Sequence, residues 1–135
     1  KKISFINKCI SMLELINVIP VCARAEAAAR THLRDSFDVA ISRALAPFPI
    51  LAELCIPFVR PGGTFLAMKG PEGTAELEGL HLFAKLGADI PEILTYNLHF
   101  AAQQIGRTLI ITGKHGKTPE NFPRKFSQIS KKPLS

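Results

Sequence analysis

The sequence predicts an α/β domain on a mostly parallel sheet, and two short apolar runs support that prediction. Residues 39–41 and 64–68 have the length and composition of strands that are covered on both faces. Apolar residues at helical spacing follow each run, which is the alternation typical of parallel sheets. Each run also ends near a cation, Arg43 or Lys69. Because ligands bind at the carboxyl ends of parallel strands, we expect a binding crevice there.

The length and composition allow one hydrophobic core. The chain has 135 residues, of which 47% are hydrophobic, and this suits a single domain. No stretch approaches the roughly 18 unbroken apolar residues of a spanning helix, and residues 1–8 are too polar for a signal peptide. We therefore expect a soluble, cytoplasmic protein that does not bind membranes.

The cysteines and histidines predict neither disulfides nor a metal site. Cys9, Cys22 and Cys55 are odd in number and lie in apolar surroundings, which favours reduced thiols. The four histidines show no metal-ligand spacing with the cysteines or with each other. We expect no bound metal.

The basic charge is concentrated at the end of the chain. Residues 114–135 contain six Lys or Arg and one Glu, whereas residues 1–113 contain eleven Lys or Arg and ten Asp or Glu. A basic segment without an apolar helical stripe suits polyphosphate better than a membrane surface. The alternative is a disordered, solubilising terminus.

The first third of the chain predicts a helix, an edge strand and a short helical run. Apolar residues at helical spacing over 3–16 have no capping residue before them, so we interpret the chain as starting inside a helix. Residues 17–23 predict a strand at or near a sheet edge because of Pro20. Residues 27–30 then favour a short helical run with Glu26 at its start.

The remainder predicts two helices and a late pair of strands. An apolar face over residues 50–58 indicates a helix that ends at the Pro-Gly-Gly of residues 61–63. Residues 77–86 predict another helix, which Gly87 ends. Residues 90–99 and 107–112 predict two strands without a helix between them, hence an antiparallel addition to the sheet.

Several blocks of residues resemble the RsmG (GidB) family of bacterial small-subunit rRNA methyltransferases. In the body of the chain the blocks are Arg24-Ala25-Glu26, residues 37–47 and residues 61–70. In the tail they are Thr118-Pro119, Phe122-Pro123-Arg124-Lys125 and Lys131-Lys132-Pro133-Leu134. Each block alone is weak evidence for the resemblance, but together the blocks follow the order and spacing of that family.

This resemblance implies a class I (Rossmann-like) fold and transfer of a methyl group from S-adenosylmethionine to N7 of one guanine in 16S rRNA. The chain looks like the carboxyl-terminal part of such an enzyme, without its first two strands and its glycine-rich loop. It would comprise a partial methyltransferase domain over residues 1–113 and a basic tail of the same domain over 114–135. This part alone is expected to be inactive.

The resemblance further implies that 16S rRNA or the small ribosomal subunit is the partner, and that the complete enzyme is a monomer. Two alternatives are an rRNA-binding fragment without catalysis and a truncated gene product.

The resemblance also assigns three residues to the cofactor. Ala25 and Glu26 would hold the adenine, and Glu26 would accept a hydrogen bond from its amino group. The alternative for Glu26 is a carboxylate favoured at a helix N-terminus. Arg43 would reach the methionine carboxylate, a phosphate or the guanine O6. The alternative for Arg43 is an ion pair with Asp38 or Glu53.

No catalytic side chain is assigned, because guanine N7 carries a lone pair and no proton, so the enzyme mainly has to position the reactants. Lys69 is expected to be a point charge that contacts RNA phosphate or stays solvated. The cations of the tail are interleaved with aromatic residues and are expected to bind RNA. They are Lys114, Arg124, Lys125, Lys131 and Lys132.

Overall fold

A mixed four-stranded sheet organises the chain in the computed structural model, which describes residues 1–78, 81–101 and 103–135. The strands are β1 (Phe37–Arg43), β2 (Val59–Lys69), β3 (Glu92–Phe100) and β4 (Gln103–Gly113), in the order β1-β2-β4-β3. β1 and β2 are parallel, whereas β4 is antiparallel to both β2 and β3. The α/β class and the antiparallel addition are therefore confirmed.

The described residues form five α-helices in addition to this sheet. They are α1 (Lys2–Met12), α2 (Ala25–Ala28), α3 (Phe48–Cys55), α4 (Leu82–Leu86) and α5 (Phe126–Lys131). Two 3-10 helices, Ile56–Phe58 and Pro71–Leu77, precede β2 and α4. The helix predicted over residues 77–86 is thus confined to α4, with residues 79–80 outside the described part. Gly87 ends α4 in the left-handed conformation at φ +72°, as predicted.

The core lies on one face of the sheet. Phe48 and Leu51 of α3 are fully buried and belong to the same cluster as Phe65 of β2 and Ile110 of β4. Leu86 of α4 joins that cluster. Removal of this apolar surface from water is the main stabilising contribution to the fold.

The opposite face of β1 is open. Val39 and Ile41 point away from the core and are 48% and 65% exposed. The prediction that this strand is covered on both faces is therefore wrong for the chain as described. Among the described residues β1 pairs with β2 alone, so in this part of the chain it is an edge strand.

The strand predicted over residues 17–23 is not formed. Within the described residues, no backbone hydrogen bond involves this segment, and Val18 and Ile19 are exposed. An apolar, β-branched segment needs a neighbouring strand for its N–H and C=O groups, and no described strand lies beside it. The local pattern alone therefore does not form a strand here.

The Pro-Gly-Gly of residues 61–63 lies inside β2 rather than after a helix, which corrects the prediction. The helix ends earlier, at Cys55, and β2 begins at Val59. Gly62 has φ +83°, and a Cβ on Gly63 would lie 2.5 Å from the carbonyl oxygen of Asp38. The glycines therefore permit an irregularity in the pairing of β1 with β2.

The β3–β4 hairpin projects beyond the other two strands. β2 ends at Lys69, opposite Thr108. The β3–β4 ladder continues for five more pairs, from Tyr96↔Arg107 to Phe100↔Gln103. The predicted linker over residues 100–106 is thus largely strand, and residue 102 lies outside the described part. The projecting hairpin forms a wall beside the carboxyl ends of β1 and β2.

Candidate cofactor and RNA site

A cleft of about 460 Å³ lies where the carboxyl ends of β1 and β2 meet the projecting hairpin. We call it the hairpin cleft. Its lining residues are Arg43, Ala44, Met68, Lys69, Gly70, Glu76, Tyr96, Leu98 and Arg107. The predicted crevice at this edge is therefore present, and Arg43 and Lys69 both line it.

Arg43 is exposed at the end of β1 and forms no ion pair or side-chain hydrogen bond within the described residues. Asp38 and Glu53, the two carboxylates with which Arg43 was alternatively expected to pair, are both bound to other arginines. Asp38 pairs with Arg60 at 2.7 Å, and Glu53 pairs with Arg124 at 2.6 Å. The alternative of an ion pair with Asp38 or Glu53 is therefore wrong, and the guanidinium is available to a ligand.

Lys69 was expected to contact an RNA phosphate or, alternatively, to be solvated, and its ammonium group is instead paired within the protein. Its Nζ donates to the carbonyl oxygen of Ala46 at 2.9 Å and lies 2.7 Å from Glu76 Oε2. The same carboxylate oxygen accepts a hydrogen bond from the backbone N–H of Phe48 at 2.5 Å. Lys69 thus joins the loop after β1 to the 3-10 helix after β2, and Glu76 neutralises its charge.

A second, apolar groove runs along the outer side of β1. Ala25 and Ala28 of α2 line one side, and Val39 and Ile41 line the other. Arg43 lies four positions after Val39 along the strand, a distance of about 13 Å. The groove and the hairpin cleft therefore follow each other along a single strand.

Glu26 lies in the first turn of α2, beside the groove. Its side chain is 16% exposed, and its Oε1 is 3.8 Å from Nη1 of the exposed Arg24. This separation is too long for a hydrogen bond, so the carboxylate retains its capacity to accept one. The position is compatible with both interpretations of Glu26, the adenine contact and the helix N-terminus.

Lys114 is buried, at 2% exposure. Its Nζ donates to the carbonyl oxygens of Val59 at 2.6 Å and Ile56 at 3.2 Å, and it pairs with Asp35. Burial lowers the pKa of this ammonium more than Asp35 raises it. This position does not allow the side chain to reach an RNA phosphate, so the expected RNA contact at Lys114 is corrected to a structural role.

Arg124 is also held inside the fold. Glu53 is fully buried and accepts hydrogen bonds from Arg124 Nε at 2.8 Å, Nη2 at 2.6 Å and the backbone N–H at 2.8 Å. The hydrogen bonds that Arg124 donates to Glu53 raise the pKa of the guanidinium above its ordinary value. Arg124 therefore docks the tail onto α3 rather than presenting a free cation.

Two arginines that the sequence analysis did not single out bind the same tail. Arg34 donates to the carbonyl oxygens of Thr118 at 2.6 Å and Phe122 at 2.9 Å. Arg30 donates to the carbonyl oxygen of Pro123 at 2.7 Å. The tail is therefore packed on the domain, which argues against the alternative of a disordered terminus. Nothing in the local sequence marks these contacts, since they join residues more than 80 positions apart.

Lys125, Lys131 and Lys132 remain exposed, in or next to α5. Of the five predicted tail cations, these three are the ones that a phosphate can reach. Tyr96 and Arg107 of the hairpin cleft were also missed by the sequence analysis. The signal that could have found them is strand alternation, because Tyr96 and Arg107 are direct partners on one face of the hairpin.

The model of the GidB family, described as rRNA small subunit methyltransferase G, matches residues 1–103. The chain belongs to this family. The rRNA small subunit methyltransferase G of Clostridium perfringens (strain SM101 / Type A) is 39% identical over 136 residues, which cover 99% of this chain and 56% of that protein. The protein of the same name from Acetivibrio thermocellus is 39% identical over 137 residues, covering 100% of this chain and 55% of its own length.

This GidB family chain thus spans about half the length of the curated relatives that it matches. The family match confirms the resemblance carried by the motifs. Among solved structures, a SAM-dependent methyltransferase from Methanosarcina mazei matches 64% of this chain and 64% of its own, with a TM-score of 0.43 and 14% identity. A likeness this remote supports no conclusion about activity.

The described part of the chain has neither a membrane-spanning helix nor a cluster of metal-ligating side chains. No helix there combines the length and the apolar character that crossing a bilayer requires. Residues 1–78, 81–101 and 103–135 also contain no cluster of three or more His, Cys, Asp or Glu side chains suited to a metal ion.

Proposed function

We propose that this chain forms the carboxyl-terminal part of an enzyme that transfers a methyl group from S-adenosylmethionine to N7 of a guanine in 16S rRNA. The observation that carries the proposal is membership of the GidB family, with relatives named rRNA small subunit methyltransferase G along its whole length. Arg43, which lines the hairpin cleft and has no ion-pair partner within the described residues, supports it further.

The groove along β1 fits the adenosine part of S-adenosylmethionine. Ala25, Val39 and Ile41 offer apolar walls. Glu26 is the residue after Ala25, and its carboxylate would accept a hydrogen bond from the adenine amino group. Arg43 can hold the methionine carboxylate, because a guanidinium binds a carboxylate in a bidentate pair. These residues fit one side of a cofactor site.

Methyl transfer to guanine N7 needs no general acid or base from the protein, because N7 carries a lone pair and no proton. The bound cofactor supplies a methyl group already activated by a positive sulfur. The N7 lone pair would form the new bond to that methyl group, and the electrons of the sulfur–carbon bond would remain with the departing thioether. The residues of this chain therefore have to orient the two reactants and exclude water, which is where the rate gain arises.

A second candidate function is rRNA binding without catalysis. The observation that favours it is that Lys125, Lys131 and Lys132 are exposed on a tail that is packed against the domain. The experiment below separates the two functions.

The test is methyl transfer by the complete protein in which this chain occurs. The protein is incubated with S-adenosylmethionine labelled in the methyl group and with small ribosomal subunits from a strain that lacks the family's enzyme. We expect the label in 16S rRNA. Chemical cleavage of the RNA chain at N7-methylguanine then locates the labelled guanine. RNA that is bound but not labelled would contradict the proposal and favour the binding function.

The exposed tail lysines should contribute to RNA binding through phosphates. Replacing Lys125, Lys131 and Lys132 with alanine is expected to weaken binding to all RNAs alike and to lower the salt slope by roughly one unit for each lysine in contact. Affinity is measured by fluorescence anisotropy over a range of salt concentrations. Lys8→Ala on α1 is the matched control, and an unchanged slope in the triple variant would leave the tail a structural role only.

A further inference from the structure

The hairpin cleft combines features that the cofactor site does not use. Its far wall is the part of the hairpin that extends past Lys69 by five residue pairs, or about 17 Å. The Arg43 side of the cleft lies at the end of β1, and the hairpin side carries Tyr96 and Arg107. The cleft is therefore open along the carboxyl edge and closed on two sides.

The charge of the cleft is positive. Glu76 neutralises Lys69 at 2.7 Å, so these two side chains contribute no net charge. Arg43 has no partner within the described residues, and Arg107 donates through Nη1 to the carbonyl oxygen of its neighbour Gly106 at 2.8 Å. Two guanidinium groups thus remain without a carboxylate, which suits an anionic ligand such as a phosphate.

The cleft also offers a flat apolar surface. The half-buried ring of Tyr96 lies in it beside Leu98, with Met68 on the β2 side. Aromatic side chains of this kind stack on unpaired nucleobases whatever their sequence. An aromatic wall next to unpaired arginines is the combination that a single nucleotide requires.

We propose that the hairpin cleft holds the target nucleotide of the RNA, with its base stacked on Tyr96 and its phosphate paired with Arg107. This inference rests on the proposed function, and it extends that function by assigning substrate-positioning residues. A donor on guanine N7 would occupy the lone pair that must attack the methyl group. Arg107 is therefore restricted to the phosphate and to guanine O6, and Arg43 is left to the methionine carboxylate.

The test uses four variants of the complete protein in which this chain occurs. They are Tyr96→Ala, Tyr96→Phe, Arg107→Ala and Arg107→Lys. We expect Tyr96→Ala to raise the KM for RNA about tenfold, as loss of one stacked base does, and to leave the KM for S-adenosylmethionine unchanged. Tyr96→Phe keeps the aromatic ring, so its KM for RNA should stay close to that of the parent protein.

Arg107→Ala should lower the slope of RNA affinity against salt by roughly one unit, whereas Arg107→Lys should retain it. Unchanged RNA affinity and salt slope in both alanine variants would overturn the proposal. A rise in the KM for S-adenosylmethionine without a change in the KM for RNA would overturn it as well. Should Tyr96→Ala fail to fold, the salt slope of Arg107→Ala decides.

The two proposals fail in different ways. A parent protein that transfers no methyl group contradicts the proposed function, and direct RNA affinity of the variants still reports on the cleft. A parent protein that is active, together with unaffected alanine variants, contradicts the cleft assignment alone.

Discussion

Replacing Arg124 with alanine is expected to lower the free energy of unfolding by about 3–5 kcal/mol, the usual cost of removing one partner of a buried ion pair. Glu53 is fully buried, and Arg124 donates to both of its carboxylate oxygens. The variant leaves that carboxylate with the backbone N–H of residue 124 as its remaining donor. Urea denaturation of the parent and variant proteins measures the difference.

Lys125→Ala is the matched control, because the neighbouring lysine is exposed and its loss should change stability by less than about 0.5 kcal/mol. If Arg124→Ala is no less stable than this control, the Glu53 pair does not hold the tail. The assignment of Arg124 as a structural residue would then fail, and RNA contact would be its remaining role.

Replacing Glu26 and replacing Arg43 are expected to have different kinetic effects, the first on cofactor binding and the second on methyl transfer too. Loss of a charge-assisted hydrogen bond costs about 1.5–3 kcal/mol, or roughly ten- to hundredfold in affinity. Glu26→Ala should therefore raise the KM for S-adenosylmethionine by that factor and leave kcat nearly unchanged. Arg43→Ala should lower kcat as well, because Arg43 lines the hairpin cleft, in which we place the target nucleotide.

The control for Glu26 is Arg24→Ala, which removes its distant, exposed neighbour and should leave the KM close to that of the parent. Thermal unfolding is measured alongside the kinetics, since neither Glu26 nor Arg43 belongs to the apolar core. A Glu26→Ala protein that loses stability but keeps its KM would make Glu26 a helix N-terminal residue. An Arg43→Ala protein with unchanged kcat and KM would remove Arg43 from the site.

Local sequence predicted the elements whose stabilising contacts are local, and the strands that find a neighbouring strand in the fold. β1 and β2 occur where apolar runs predicted strands, and Gly87 ends a helix because a left-handed residue is needed there. The segment over residues 17–23 has the same kind of apolar run and forms no strand. Strand formation depends on a neighbour that supplies backbone partners, which a single segment does not specify.

By itself, the amino-acid sequence determined the family, the α/β class and the carboxyl-terminal edge at which Arg43 and Lys69 meet. Only the tertiary structure decided which cations are free to bind a ligand. Glu76 pairs with Lys69, and the buried carboxylate of Glu53 holds Arg124 from 71 positions away. An ion pair forms wherever the fold brings opposite charges within a few ångströms, because its energy depends on distance in space and on burial rather than on separation along the chain.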